Sequence, residues 1–569
     1  MAPTRKLPEL HALLATLALA LIALPLAGAT PPIRGLAVDP ARLPESPEYY
    51  RRLIDFAAEW GFNAILFRLT DDQGSALRFE RHPELITHQN ALTTAEAREL
   101  AEYGEARGVR LIPEVESFGH AGYITRSAAH RELTERDPRT GRTVNTLIPV
   151  HPKTRELLRD LYEEVAAIFP SPYLHAGCDE VTWGGSDLSQ QALATRGRAE
   201  IWADHVNALQ REARRLGKEL MIWGDHPLRG EPEILKYLSR EVILVDWDYA
   251  TTSPAAIRAA ARRALDNGFR ILGSPALGWC RWGLRVGEQQ LRNIDVYADT
   301  YLAIEDPNNL GLIATNWVPT RYLQNSIWDG LAYAGVVLGE GSAAARSGAL
   351  ARFVERHYGA AWSPAWEEMF RGYYEATPYR RSCTPASLGP VLPQPWDNGE
   401  ALLAVLLTGR ASAQPFAELL RQVEALEPSV QNNREDFVSF RRTVEYLQHI
   451  FWRDNFLLQQ SKTLRTPAAA RNLIAAIARR DQALLESLRA DWDRGRPPDS
   501  PMKSRLLAAY SSEDLLLAQL TASANFSAQL AANPDEFLLL LEAAGVSYPE
   551  WVRRQPRRAP APTAARRSR

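Results

Sequence analysis

Cysteine is scarce in this chain. Cys178, Cys280 and Cys383 are the only three in 569 residues. Their spacing fits no thiolate metal cluster, and an odd count leaves at least one free thiol. Cys178 adjoins an acidic pair, but a buried small hydrophobe is the usual role of a free cysteine. An excess of one charge is missing too. The 66 Lys and Arg nearly balance 68 Asp and Glu, for a net charge of −2. That balance asks for neither nucleic acid nor an acidic membrane. No His-Glu-x-x-His occurs, so no metal is expected. No Gly-rich phosphate loop follows any candidate strand, which argues against a doubly wound dinucleotide fold. No cofactor is expected.

Long apolar runs are also rare. The one candidate spans Leu13 to Leu26, after Arg5 and Lys6 and before Ala27-Gly28-Ala29. It is short for a bilayer span and contains Pro25. A signal peptide over 1–29, cleaved near Ala29, is the expectation. The mature protein would then be exported, periplasmic or secreted, with no membrane association. At the other end, residues 553–569 read as a basic, disordered tail.

Between these ends, short β-rich runs alternate with helical patterns. Strands are expected at Ile33-Val38, Asn63-Leu69, Val109-Val115, Pro172-Gly177, Glu219-Trp223, Glu241-Trp247, Phe269-Ser274 and Gly311-Trp317. Helical periodicity fills the gaps, as at Glu48-Trp60, Thr94-Arg107 and Lys153-Ile168. This α/β rhythm is that of a (β/α)8 TIM barrel over residues 33–340. From there the strand signals stop. An all-α C-terminal domain is expected over 345–550. It could cap the barrel or offer a surface to a second copy in a homodimer; the residues leave both open.

In such a barrel, polar residues at the C-terminal strand ends read as the site. Here they are acids, histidines and tryptophans. Strand two runs out through Asp71-Asp72, strand three through Glu114-Val-Glu116 to His120, and strand four through Asp179-Glu180. Strand five ends in Trp223-Gly-Asp225-His226, strand six in Asp246-Trp247-Asp248, and strand eight in Trp317. Tryptophan faces stack on the C–H faces of a pyranose, and carboxylates accept from its hydroxyls. Trp279 and Trp282 follow strand seven. A second adjacent pair, Asp535-Glu536, follows Pro534 and reads instead as a helix N-terminus.

A glycosidase usually sets its two carboxyls on opposite sides of the bond. Adjacent residues seldom achieve that. They suit the substrate-assisted route, in which the sugar's own 2-acetamido oxygen attacks C1. The close pair is also expected to raise one pKa, keeping an acid protonated near neutrality.

These residues resemble the family 20 glycoside hydrolases, the β-N-acetylhexosaminidases. The signature His-x-Gly-Gly-Asp-Glu stands as His175-Ala-Gly177-Cys178-Asp179-Glu180. Pro113-Glu114 through Gly119-His120, Arg34-Gly35 with Asp39, Pro83-Glu84-Leu85 and Trp223-Gly-Asp225 resemble further family segments. Cys in place of the second Gly, and strand one directly after the leader, fit the hexosaminidase D-like branch, although its members are typically not exported. The resemblance implies an exo-acting, retaining enzyme on terminal N-acetylhexosamine of a glycan or glycoconjugate. It makes Glu180 the general acid/base and Asp179 the partner of the acetamido group. Trp223, Trp247 and Trp317 become candidates for the acetamide pocket. His120, Asp225 and Arg34 would contact hydroxyls or support the acids. One departure favours a second reading. The family's Trp-x-Glu on the last strand is Trp317-Val-Pro319 here, which suits a sugar-binding barrel that has lost turnover.

Overall fold

A computed structural model describes residues 33–278, 287–376, 396–408, 415–494 and 516–546. The expected leader and tail, with Cys280, Cys383, Trp279 and Trp282, lie outside the described residues.

The barrel strands are β1 (Ile33–Val38), β2 (Ala64–Arg68), β3 (Arg110–Glu114), β4 (Tyr173–His175), β5 (Glu219–Trp223), β6 (Ile243–Trp247), β7 (Arg270–Ser274) and β8 (Asn309–Asn316). All pair in parallel and in order, and β1 pairs β8 to close the ring. A short extra strand, Ala276–Gly278, lies beside β8. Among the helices between and after them are α1 (Pro47–Glu59), α2 (Thr94–Glu105), α3 (Pro152–Ile168), α4 (Arg198–Arg215), a single turn α5 (Ile234–Tyr237), α6 (Pro254–Leu265), α7 (Glu288–Leu302) and α8 (Trp328–Glu340). Local chemistry starts several of them. Ser46 caps α1 ahead of Pro47, Thr93 and Glu96 form a reciprocal capping box on α2, and Ser253 caps α6 ahead of Pro254.

Strand side chains alternate between the barrel interior and the helix layer. The interior core holds Ile33 and Ala37 of β1, Ala64 and Leu66 of β2, Ile112 of β3, Met221 and Trp223 of β5, and Ile243 and Val245 of β6. The same parity carried one step upward reaches Arg68, Glu114, His175, Trp223 and Trp247. Register agrees, since Arg68 sits opposite Glu114, and Glu114 opposite His175. The apolar filling therefore ends in a polar and aromatic layer at the C-terminal rim.

Helices alone follow among the described residues: α9 (Ser342–Phe353), α10 (Pro364–Ala376), α11 (Gly399–Thr408), α12 (Pro415–Leu426), α13 (Arg434–Ser461), α14 (Pro467–Arg494), α15 (Leu516–Ala532) and α16 (Pro534–Ala543). The first of these share the barrel's outer core. Phe56 of α1 and Trp328 of α8 pack on His357, whose imidazole meets Asp436 of α13 at 2.8 Å. The later helices have their own core, around Trp396, Leu457, Ile474 and Phe537. Asp535 and Glu536 lie in the first turn of α16, as their context predicts. No described helix is long and apolar enough to cross a membrane.

Candidate active site

The rim of the barrel brings together most of the residues that the sequence singles out. After β4 the chain turns sharply, with Gly177, Cys178 and Glu180 all at positive φ, 65°, 72° and 50°. His120, at φ 46°, faces them from the loop after β3. Left-handed backbone at non-glycine residues is costly and gathers at functional sites. Here it lets neighbouring acids point in different directions. Asp179 is turned inward, its side chain 14% exposed, while Glu180 stands out into the cleft at 62%.

Two close approaches fix this turn. A Cβ on Gly177 would fall 1.9 Å from Glu116 Oε2, and one on Gly119 would fall 2.2 Å from the Asp179 carbonyl oxygen. The second clash is with backbone. Gly119→Ala must therefore displace Asp179 itself. We expect it to lower kcat/KM by about 100-fold, the cost of misplacing a reacting group by roughly an ångström. The melting temperature should move only a few degrees. Comparing kinetics with thermal denaturation checks this; unchanged kinetics would show the approach to be unimportant.

His120 is the electrostatic hub. Its Nε2 lies 3.2 Å from Glu180 Oε2 and 3.6 Å from Asp179 Oδ2, and its Nδ1 lies 3.3 Å from Asp72 Oδ2. Burial alone would push the imidazole down. Asp179, Asp72, Glu180 and Asp71 outweigh it and hold it well above its usual value. An imidazolium in turn acts on Glu180. Its hydrogen bond leads the causes that lower the Glu180 carboxyl, against burial, with Arg42 and Arg68 helping. This corrects the expectation that adjacency raises the acid. The rises fall on other carboxyls. Burial first, then Asp179, drives Asp225 up to about 7, and burial drives Glu116 well up despite Arg68.

Asp225 and His226 have a defined task. Asp225 Oδ2 accepts the Glu180 N–H at 3.0 Å, and His226 Nε2 accepts the Val181 N–H at 2.9 Å. Burial lowers the His226 pKa, in keeping with a neutral ring that can accept there. The two residues clamp the backbone of the acid turn from β5. A carboxyl raised by folding favours the folded protein while it is protonated. That advantage is complete below the unfolded value of about 3.9 and is lost as pH climbs to about 7. Asp225→Asn keeps an acceptor for Glu180 and removes the charge. The fall in melting temperature from about pH 5 to about pH 8 should shrink by several degrees in this variant; an unaltered fall would remove Asp225 as its source.

Beneath the acids lies a buried ion network. Arg68 meets Asp71 at 2.6 Å, Glu116 at 2.7 Å and Glu114 at 3.4 Å. Arg42, in the loop after β1, meets Asp39 at 2.8 Å and Asp71 at 3.1 Å. Both guanidinium groups lie over the Trp317 ring, at 5.1 and 5.9 Å. Trp317 and Trp223 meet edge to face at 5.7 Å. Trp247 packs on Tyr249 at 4.9 Å, and Tyr249 accepts the Trp317 Nε1–H at 2.9 Å. Trp223 is fully buried and gives its own Nε1–H to Glu114 at 2.7 Å. It can only be a floor; Trp317 is buried as well, and Trp247 is half-buried.

Arg34 is not brought to this site. It lies at the N-terminal end of β1 and, by parity with Ile33 and Ala37, faces outward. Its Nε donates to the Gly61 carbonyl at 2.8 Å. The site's cations are Arg42 and Arg68, to which sequence reasoning gave no role. Position was the available signal, because Arg42 follows the end of β1 whereas Arg34 precedes its apolar run.

Residues 32–280 match the family model described as "Glycosyl hydrolase family 20, catalytic domain". This segment belongs to that family. The chain is similar to a relative from Vibrio furnissii, "Beta-hexosaminidase", 27% identical over 265 residues, 41% of this chain and 42% of that one. "Hexosaminidase D" of Bos taurus is 28% identical over 197 residues, 33% of this chain and 55% of that one. Such close identities do not separate one branch of family 20 from another. The chain thus spans about half the length of these relatives or less. Among solved structures, the "GH20 Exo beta-N-Acetylglucosaminidase from Vibrio harveyi in complex with N-acetylglucosamine" aligns with a TM-score of 0.42 at 22% identity, covering 56% of this chain and 54% of that one.

Proposed function

We propose that this family 20 barrel is an exo-acting, retaining β-N-acetylhexosaminidase that works through the substrate's 2-acetamido group. One observation carries the reading. Oδ1 of Asp179 is buried yet has no hydrogen-bond partner among the described residues. A buried, unpaired carboxylate oxygen is expensive, so a site that keeps one is built for a donor that arrives later. An acetamide N–H is such a donor, and the aromatic layer of Trp223, Trp247 and Trp317 suits the methyl group beside it. The bound acetamide would thereby be turned so that its oxygen lies against C1.

Glu180 then has the complementary place. It is the exposed carboxyl, where a leaving group departs toward solvent. In the free protein His120 holds it ionised. A sugar seated between them covers the carboxyl and loosens that hydrogen bond, and both effects favour the protonated acid. After the leaving group departs, the same carboxylate can take a proton from the incoming water. The preference for an N-acetylated sugar, the exo mode and export of the mature protein belong to this proposal.

A panel of aryl glycosides tests it. The 2-acetamido-β-glycoside should release 4-nitrophenol, the β-glucoside should not, and an acetamide-derived thiazoline should inhibit. Equal turnover of a substrate without the acetamido group would exclude the mechanism. Calorimetric sugar binding with no hydrolysis across the panel would favour the non-catalytic barrel.

A further inference from the structure

We infer that His82, Glu84 and His130 form a binding site for a divalent transition-metal cation of the zinc class, outside the sugar cleft. Glu84 Oε1 lies 3.0 Å from His82 Nδ1 and 2.8 Å from His130 Nε2. Three donor atoms from three side chains thus converge within 4.8 Å of one another. Two imidazoles and a carboxylate are the ligand set that borderline cations such as Zn2+ and Co2+ prefer. Tetrahedral donors at about 2.0–2.2 Å from a metal stand roughly 3.3 Å apart, so the two contacts of Glu84 Oε1 need to open by only a few tenths of an ångström.

A further arrangement points to a ligand rather than to a simple hydrogen-bond cluster. The far nitrogen of His82, Nε2, lies 3.3 Å from Asp160 Oδ2 on α3. A carboxylate that accepts a hydrogen bond from the Nε2–H fixes the tautomer and leaves Nδ1 as a lone-pair donor facing Glu84. This carboxylate–histidine relay is what metal-binding histidines ordinarily have behind them. The imidazoles are largely buried, at 17% and 16%, whereas Glu84 is 34% exposed, so the fourth position opens to solvent. Sequence reasoning expected no metal because it sought ligands at motif spacing. These come instead from separate loops, after β2 and after β3.

Those loops also carry the catalytic rim. Asp72 lies on the first and His120 on the second, and Asp72 Oδ1 accepts the Gly122 N–H at 3.2 Å. Near the proposed site, Ser127 Oγ donates to the Glu84 carbonyl at 2.7 Å, and Ile86 N–H donates to Tyr123 at 2.9 Å. A cation there would staple the two loops together behind the cleft. The other cluster of metal-ligating groups among the described residues, Asp71, Asp72 and His120, belongs to the sugar site and is tied up by Arg42, Arg68 and Glu180.

The test uses the full chain, stripped with a chelator and titrated with Co2+. The expected result is one Co2+ per chain at micromolar or tighter Kd, with visible ligand-field bands, and a rise of several degrees in melting temperature. His130→Ala should abolish the bands, and Glu84→Gln, which keeps the hydrogen-bonding shape, should do so should His130→Ala fail to fold. Asp160→Asn should weaken binding by about 10- to 100-fold. Asp72→Asn should leave the bands intact. Absence of stoichiometric Co2+ binding by the wild-type chain overturns the proposal, and so do bands that survive in both His130→Ala and Glu84→Gln.

Discussion

Glu180→Gln should lower kcat/KM on a 4-nitrophenyl 2-acetamido-β-glycoside by about 1,000-fold, within the range that a positioned general acid supplies. The amide keeps the size of the side chain and its place opposite His120, so sugar binding should persist. What it lacks is a proton to give. The loss should therefore deepen for a disaccharide substrate, whose alkoxide leaves far less readily than 4-nitrophenolate. A pH signature accompanies it. His120 keeps the Glu180 carboxyl low in the free protein, and a bound sugar should raise it. The basic limb of the kcat profile should accordingly lie at higher pH than that of kcat/KM, since the first reports the complex and the second the free protein. Both limbs should be lost or displaced in Glu180→Gln. Wild-type rates in this variant would remove Glu180 from the chemistry.

The barrel was legible because its strands are short apolar runs whose inward parity ends in unusual residues. On β2 the sequence Ala64, Leu66, Arg68 reads two core positions and then a buried cation. The same count on β3 gives Ile112 and then Glu114. Parity also explains Arg34, which is out of phase with its strand's inward residues and at the wrong end. Proximity within the sequence was enough to find Asp179 and Glu180 together. The lowered Glu180 carboxyl was not legible, because it depends on His120, Arg42 and Arg68, which other strands and loops bring in. The clamp of Asp225 and His226 on the acid turn was hidden for a related reason. Its partners are backbone N–H groups, which every sequence contains and none advertises. The turn itself left a trace in Gly177, but Cys178 and Glu180 adopt left-handed backbone that their residue types do not suggest.

Asp179→Asn should cost nearly as much as loss of the acid, about 100- to 1,000-fold in kcat, a loss comparable to removing one preorganised electrostatic contact. Asparagine can still accept the acetamide N–H through its carbonyl, so ground-state contact is largely kept. The charge is not. As the acetamide oxygen attacks C1, positive charge spreads onto the nitrogen, and a fixed carboxylate in a dry site stabilises that charge without having to reorganise. The effect should thus appear in kcat more than in KM. A thiazoline inhibitor that becomes cationic when bound should lose affinity in parallel with kcat, whereas the neutral product sugar should bind nearly as before. This split separates a charge that acts on the transition state from a residue that merely shapes the pocket. If product and thiazoline weaken equally, Asp179 is a binding contact only. If neither changes and kcat stays within threefold of wild type, Asp179 takes no part in stabilising the charge on the acetamido group.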